Sequence, residues 1–296
     1  MHPLSQKIHL SLLRQVARRS GIRSDRAGAL LGLWLALRHP YRRAIIEHNI
    51  RLCFPDWSAR QRRRFVNANL RATGRMFMEM ALAFEAPSEM IRPLGRIQGL
   101  EHLEHALAAG NGALLLAPHM TCYDMAVRIL NEHLGRKVFM LFRDGDGPVM
   151  GPFLRDGRES HCERGIGKKD LSGLYTALRE NRAVWYAPDQ DFSYHHTFAP
   201  FFGVQASWVT ATHRIAGGSG AAVVPFYYYR EERDEGDHGY VLELHPPLKD
   251  FPGDDAERDT HRVARWFDEQ VRRHPDQYLW AHRRFKTRPP GEPPLY

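Results

Sequence analysis

Short apolar runs alternate with amphipathic stretches along the chain after Pro87. Apolar runs of about four to eight residues are typical of buried strands, and apolar residues spaced three and four apart are typical of helices. Buried strands are predicted at 113–117, 137–142, 183–187, 221–229 and 240–245. Helices are predicted at about 123–133, 171–180, 208–215 and 259–273. This alternation predicts an α/β fold with a central, mostly parallel mixed sheet and helices on both faces.

The first quarter of the chain has a helical pattern instead. Residues 1–50 are rich in Leu and Arg, and Pro55 interrupts the pattern because proline disfavours α geometry in the preceding residue. Ser58 and Gln61 then have the spacing of a capping box, which predicts a helix that continues to about Phe84. We therefore expect a basic helical region over 1–48 and one α/β domain over 49–296.

Positive charge is concentrated in this first quarter. The chain has 42 Lys and Arg against 34 Asp and Glu, for a formal net charge of +8. Residues 1–75 contain 16 basic and 3 acidic residues, so they carry +13 and the remainder carries −5. Such a block predicts an anionic partner, which could be a membrane surface, a nucleic acid or an acidic protein.

The chain lacks the usual sequence marks of export and of membrane spanning. Its longest uncharged apolar run, Ala27–Leu37, has eleven residues, whereas a bilayer core requires about 20. The arginines around it are typical of a helix that lies in the membrane interface, and a core helix with a solvated rim fits equally well. No apolar run precedes a small-residue cleavage site, so we expect no signal peptide. Three widely spaced cysteines without a C-x-x-C pair fit a reducing cytoplasm.

The sharpest chemical pattern follows the first predicted strand, where the sequence continues Pro118-His119-Met120-Thr121-Cys122-Tyr123-Asp124. Ligands of open α/β sheets bind at the carboxyl ends of strands. If Asp124 lies in the first turn of the next helix, its carboxylate can fold back onto His119, fix the imidazole tautomer and leave the other ring nitrogen as a base. Two unrelated side chains remain the alternative.

A second polar cluster, Asp189-Gln190-Asp191, follows the predicted strand 183–187. Its carboxylates and amide could orient polar substrate groups, and the aromatic run that contains Phe198, Phe201 and Phe202 could line an apolar slot. A simple turn followed by core aromatics is the alternative.

Other chemistries have weaker support. The glycine-rich Gly217–Ala221 segment precedes a strand, whereas a nucleophile elbow follows one. His195 and His196 are adjacent and lack the spacing of a zinc motif. No P-loop or G-x-G-x-x-G fingerprint is present. We therefore expect neither a metal nor a cofactor.

Several motifs, taken in order, resemble one enzyme family. His119 to Asp124 resembles the H-x4-D motif of lipid acyltransferases, and Asn49 to Ser58 resembles the N-x-x-L-C-F-P-[ED]-x-S segment of the late acyltransferases of lipid A biosynthesis. Further matches are 169–171 with 184–191, 198–203 as F-x-P-F-F-G, and the C-terminal signature 278–289. The resemblance covers Asn49 to Tyr296 and implies a glycerolipid-acyltransferase-like fold for that catalytic domain.

The resemblance also implies a mechanism and a set of site residues. His119 would deprotonate a hydroxyl of a lipid A precursor, which then attacks an acyl-carrier-protein thioester without an acyl-enzyme. Asp124 would hold the His119 tautomer and Arg158 would stabilise the oxyanion. The remaining expected contacts are with substrate or carrier protein, and they comprise Asp189, Gln190, Asp191, Arg164, Lys168, Lys169, Phe198, Phe201 and Phe202.

The same resemblance implies a location. We expect a peripheral or monotopic protein at the cytoplasmic face of the bacterial inner membrane, attached to anionic lipid through the basic region 1–48. A lysophospholipid or other glycolipid acyltransferase of the same fold is the alternative enzyme. A nucleic-acid-binding module is disfavoured, because the basic quarter contains no recognisable motif and few interleaved aromatics.

Overall fold

The computed structural model describes residues 25–142, 147–167, 170–232 and 238–296. The described helices are α1 (Asp25–Arg38), α2 (Pro40–Cys53), α3 (Ala59–Glu85), α4 (Ser88–Ile91), α5 (Leu100–Ala108), α6 (Tyr123–Leu134), α7 (Gly147–His161), α8 (Leu171–Arg179), α9 (Ala211–Ser219) and α10 (Ala256–Val271). The described strands are β1 (Gly95–Gln98), β2 (Ala113–Leu116), β3 (Phe139–Phe142), β4 (Gly165–Gly167), β5 (Ala183–Tyr186), β6 (His196–Phe201), β7 (Val204–Val209), β8 (Ala222–Glu232) and β9 (His238–Leu244).

Seven of the described strands form one mixed sheet in the order β1-β9-β8-β2-β5-β3-β4. Every neighbouring pair is parallel except β8 and β9, which are antiparallel. Helices connect the parallel strands, and the four residues of β2 and the four of β5 are all buried. The predicted α/β class with a mostly parallel mixed sheet is confirmed.

The register of the central strands aligns their carboxyl ends. Leu116, the last residue of β2, pairs with Tyr186 of β5 on one side and with Pro225 of β8 on the other. The segments that follow β2 and β5 therefore leave the sheet side by side. This places residues 117–119 next to residues 187–189.

The segment predicted as a helix at 208–215 is divided between two elements. Trp208 and Val209 end β7, which forms an antiparallel hairpin with β6, and α9 begins at Ala211. Trp208 pairs with Thr197 across the hairpin and its indole packs against Phe201 and Phe267. The helix prediction is therefore wrong for these two residues, because hairpin pairing and aromatic packing determine their conformation.

Helix α1 packs closely against α3 through glycines. A Cβ atom added at Gly32 would lie 1.9 Å from the carbonyl oxygen of Leu70, and one added at Gly74 would lie 2.1 Å from that of Gly28. The two backbones are thus in direct contact, which only glycine permits at these positions. The boundary expected between residues 48 and 49 lies within α2, which continues to Cys53.

The opposite side of α1 is apolar and exposed. Leu30, Trp34 and Leu37 are 67%, 43% and 75% exposed, and Tyr41 at the start of α2 is 55% exposed. These four residues form the apolar stripe. None of the helices in the described ranges has both the length and the apolar character needed to cross a bilayer.

Candidate active site

The loop after β2 places His119 at the carboxyl edge of the sheet. The amide of Ala117 continues the pairing with β5 by donating to the Tyr186 carbonyl oxygen at 3.0 Å. The hydroxyl of Tyr228, on β8, donates to the Pro118 carbonyl oxygen at 2.6 Å. The loop is therefore held by both neighbours of β2 before it reaches His119.

Asp189, at the end of β5, contacts His119 twice. Its Oδ2 accepts the backbone N–H of His119 at 2.8 Å, and its Oδ1 lies 2.5 Å from the imidazole Nδ1. The Asp189 side chain is fully buried, whereas the His119 side chain is 19% exposed. The carboxylate therefore fixes the ring with a proton on Nδ1 and leaves Nε2 as the basic nitrogen.

The Asp189 carboxyl is held in its ionised form. Burial by itself would raise its pKa. The adjacent His119 and the hydrogen bonds from its ring and backbone outweigh that effect, so the pKa lies below its usual value. Asp189 is thus a permanent acceptor beside the imidazole.

Asp124 has a different partner from the one expected. It lies in the first turn of α6, and its carboxylate accepts Arg158 Nε at 2.8 Å and Arg158 Nη2 at 3.3 Å. The side chains of Asp124 and Arg158 are 3% and 7% exposed. The contact expected between Asp124 and His119 is therefore corrected by the structure, because Asp124 faces α7 and Asp189 occupies the position beside Nδ1.

The buried Arg158 retains its charge and extends the pair towards His119. Burial would lower the pKa of the guanidinium, but the Asp124 carboxylate raises it above its ordinary value. Arg158 Nη2 also donates to the Tyr123 hydroxyl at 2.7 Å. The Tyr123 ring lies 6.1 Å from the His119 ring, so this ion pair is separated from the imidazole by one aromatic residue.

Two aromatic rings border the imidazole. Trp185 of β5 meets His119 edge to face with ring centres 5.7 Å apart, and Tyr123 stacks on Trp185 at 5.6 Å. These rings form an apolar wall beside a basic nitrogen. Trp185 was predicted only as a strand residue, although its place three residues before the expected polar turn at Pro188 indicates the same edge.

The C-terminal segment pairs with the loop as an irregular strand. Thr121 N donates to the Gln277 carbonyl oxygen at 2.7 Å, Leu279 N donates to the His119 carbonyl oxygen at 2.9 Å, and Met120 bridges Tyr278. The side-chain amide of Asn49 donates to the carbonyl oxygens of Trp280 and His282, both at 2.8 Å. Motifs at opposite ends of the chain thus meet around His119.

Comparison with known proteins decides the family. The sequence profile described as "Bacterial lipid A biosynthesis acyltransferase" matches residues 9–287. The chain is 35% identical over 274 residues to the lipid A biosynthesis lauroyltransferase of Escherichia coli (strain K12), a match that covers 92% of this chain and 88% of that protein. The chain belongs to the bacterial lipid A biosynthesis acyltransferase family.

Other members of the family have comparable similarity. The lipid A biosynthesis palmitoleoyltransferase of the same organism is 31% identical, with 88% of this chain and 85% of that protein covered. The myristoyltransferase is 29% identical, with 85% and 76% covered. The names of these relatives specify three acyl chains but one pathway, so what they share is acyl transfer in lipid A biosynthesis.

The polar turn of this acyltransferase gives its three residues different partners. Gln190 Nε2 lies 3.5 Å from His119 Nε2, beside the basic nitrogen. The Asp191 carboxylate instead binds the backbone N–H and the hydroxyl of Thr287, both at 2.9 Å. Asp191 N donates to His282 Nε2 at 3.0 Å, and burial lowers the pKa of His282 to about 4. Asp191 is thus tied to the C-terminal segment.

The other expected substrate contacts are dispersed. Phe201 is fully buried against Trp208 and Tyr278, and Phe202 is buried against Trp280, so both belong to an aromatic core. Phe198 is half-buried on β6 and packs on His196.

Only Arg164 of the expected basic cluster lies within the described residues. Arg164 is exposed, and its carbonyl oxygen accepts the Met140 amide at the β4 edge of the sheet. Lys168 and Lys169 lie outside the described residues, so the contact of all three with phosphates or carrier protein stays a prediction.

Proposed function

We propose that this acyltransferase moves a fatty acyl chain from an acyl-carrier-protein thioester to a hydroxyl of a lipid A precursor, with His119 as the general base. The observation that carries the proposal is the Asp189 carboxylate on Nδ1 of a partly exposed His119. This arrangement leaves Nε2 available to accept a proton from an acceptor hydroxyl. It also stabilises the imidazolium that forms.

In the proposed reaction the acceptor oxygen attacks the thioester carbonyl as Nε2 takes its proton. The tetrahedral intermediate then collapses, the carbon–sulfur bond breaks, and the carrier thiolate takes the proton from Nε2. The ester and the free thiol are the products, and His119 returns to its starting form. Gln190, beside Nε2, is suited to orient the acceptor hydroxyl.

The state of the loop cysteine favours direct transfer over an acyl-enzyme. Cys122 is 2% exposed, and burial raises the pKa of its thiol to about 12. A buried, protonated thiol is a poor nucleophile. We infer that the acceptor oxygen attacks the thioester itself.

We further propose that Arg158 supplies positive charge for the thioester oxyanion. Its guanidinium is kept charged by Asp124, and it bonds to the hydroxyl of the ring that borders His119. Asp124 therefore acts through Arg158 in this proposal, as its positioning partner. Replacement of Arg158 by Gln should lower kcat while leaving KM for the donor nearly unchanged.

Product masses test the proposal directly. Purified protein is incubated with acyl-carrier-protein donors and either a lipid A precursor or lysophospholipid. We expect acylated lipid A precursor from the wild type and a rate lower by about 10²–10⁴ for His119→Ala. His105→Ala, an exposed histidine on α5, is the matched control. Product on lysophospholipid alone, or an unaffected His119→Ala variant, would contradict the proposal.

We also propose that the apolar stripe rests on an anionic membrane surface at the cytoplasmic face of the inner membrane. Its exposed Leu and Trp side chains are adjacent to exposed Arg38 and Arg42, and the Arg38 guanidinium lies 5.8 Å from the Trp34 ring centre. An apolar face flanked by basic residues matches a lipid interface in both hydrophobicity and charge. Arg42 Nη1 also donates to the Ala281 carbonyl oxygen, so the stripe adjoins the C-terminal segment that pairs with the His119 loop.

Vesicle sedimentation tests this docking. Wild-type protein should bind vesicles with anionic lipid and bind less at high salt, because screening weakens attraction to the surface. Leu37→Glu should reduce binding, whereas Leu171→Glu, a 55% exposed leucine on α8, should not. Equal binding of both variants, or salt-insensitive binding to neutral vesicles, would refute it.

A further inference from the structure

A buried ion pair lies beneath the loop that carries His119. Glu79 of α3 and Arg230 of β8 are each 6% exposed, and Arg230 Nη2 donates to Glu79 Oε2 at 2.5 Å. Arg230 Nε also donates to Glu79 Oε1. The guanidinium and the carboxylate therefore face each other as a two-pronged pair inside the protein.

The same guanidinium binds the loop. Arg230 Nη1 donates to the Thr121 hydroxyl at 2.7 Å, and Nη2 donates to the Thr121 carbonyl oxygen at 3.0 Å. Thr121 is fully buried and lies two residues after His119. Its backbone N–H is already bonded to the Gln277 carbonyl oxygen. The loop is thus held on one side by the C-terminal segment and on the other by Arg230.

Stability alone is a weak reason for a buried ion pair. Removing two charges from water costs several kcal/mol per ion, and well-packed apolar residues of similar volume often give equal or greater stability. An apolar pair could not hold the Thr121 carbonyl and hydroxyl, because it has no donors. What the ion pair adds here is a fixed set of donors directed at one loop residue.

Glu79 keeps Arg230 in that position. Burial opposes the charged form of the guanidinium, while the Glu79 carboxylate favours it and raises its pKa above the ordinary value. Without Glu79, the guanidinium would be a buried charge lacking its counterion, and it would move towards water or other acceptors. The placement of Thr121 therefore depends on both partners.

We propose that Glu79 and Arg230 are positioning residues for the acyl transfer, acting through Thr121 to fix the loop that aims His119 at the acceptor hydroxyl. This inference rests on His119 being the general base. Displacement of a reacting group by about 1 Å can reduce the rate about 10²-fold. We call the hydrogen bonds from the Glu79–Arg230 pair to Thr121 the brace. Loosening the brace should therefore lower kcat more than it changes substrate binding.

Substitutions at Thr121 test the brace with little change in volume. Thr121→Val removes the hydroxyl acceptor, and Thr121→Ser restores it. We expect kcat about 10- to 100-fold lower for Thr121→Val, with KM for donor and acceptor within about twofold. Thr121→Ser should recover most of the rate. Rescue of kcat by the hydroxyl is a result that a merely structural role would not give.

Two further variants separate positioning from stability. Thr260→Val, on α10, removes a buried hydroxyl that donates to the Ala256 carbonyl oxygen of its own helix, so it should lower stability without lowering kcat. Glu79→Gln leaves the loop sequence intact and should lower kcat as Thr121→Val does. Unfolding by denaturant is measured for every variant.

The outcomes are distinct. The positioning role is overturned if the wild type is active and both Thr121→Val and Glu79→Gln retain its kcat. It is also overturned if Thr260→Val, at a similar loss of stability, loses as much kcat as Thr121→Val and Glu79→Gln do. Failure of the wild type to acylate a lipid A precursor would refute the proposed function instead. In that case the kcat comparison is made on whichever acceptor the wild type acylates.

Discussion

Replacement of Asp189 by Asn should convert His119 from a base into a weak donor. The backbone N–H of His119 can only donate, so the single oxygen of the introduced amide must face it in place of Oδ2. The amide NH2 then faces Nδ1 in place of Oδ1. Nδ1 becomes the acceptor, the ring proton moves to Nε2, and the nitrogen beside the acceptor hydroxyl is no longer basic.

The size of the expected rate loss follows from the interactions that Asp189→Asn removes. The variant loses the basic Nε2 and the negative charge that stabilises the imidazolium, which together are the whole general-base contribution of about 10²–10⁴. This corresponds to about 3–5 kcal/mol in the activation barrier. Substrate contacts are unchanged, so kcat should fall and KM should stay close to the wild-type value. Initial rates with an acyl-carrier-protein donor measure both.

Asp191→Asn is the matched control. In the wild type, the Asp191 carboxylate accepts hydrogen bonds from the Thr287 N–H and from the Thr287 hydroxyl. The N–H can only donate and would face the amide oxygen of Asn, whereas the hydroxyl can rotate and accept from the amide NH2. The hydrogen bonds survive the substitution, so activity should stay near that of the wild type. If Asp189→Asn retains the wild-type kcat, or if both variants lose activity equally, the reasoning about the tautomer is refuted.

Stability measurements test two other features. Gly32→Ala should destabilise the docking of α1 by about 1–3 kcal/mol, because the added Cβ would clash with the Leu70 carbonyl oxygen. Gly217→Ala, on an exposed part of α9, is the control and should be neutral or slightly stabilising. Denaturant unfolding and proteolysis of α1 compare the two variants, and equal stability would contradict the close packing of α1 on α3. Burial lowers the pKa of His161 to about 4, so the unfolded chain binds the extra proton below pH 6.5 and the free energy of unfolding falls as pH decreases. His161→Gln should remove about 2 kcal/mol of the loss between pH 7.5 and pH 5, and an unchanged loss would contradict this assignment.

Local sequence patterns predict the strands of the sheet, but they do not predict which side chains pair in the site. The buried strands at 113–116 and 183–186 are short apolar runs, so their composition reveals them. The pairing of His119 with Asp189 depends on the register between those strands, because the two partners are 70 positions apart in the sequence. A pattern search within one segment finds Asp124, which is near in sequence but faces α7.

Composition likewise could not assign the aromatic residues. Phe201 and Phe202 have the apolar character of an acyl slot, but equally that of a core, and the hairpin between β6 and β7 directs them into the core. Trp185 lies close to the carboxyl end of an apolar strand, but only the pairing of β5 with β2 places its ring beside His119. The sequence shows that Asp189 follows the strand that contains Trp185. Only the order of the strands in the sheet brings Asp189 next to His119.

The pairing of the C-terminal segment with the loop has a consequence for synthesis of the protein. His119 emerges from the ribosome long before Leu279, whose amide holds the His119 carbonyl oxygen. A nascent or prematurely terminated chain thus contains the proposed general base but lacks the segment that pairs with its loop. We therefore expect fragments that end before this segment to be inactive in acyl transfer, so that activity would arise only when translation is nearly complete.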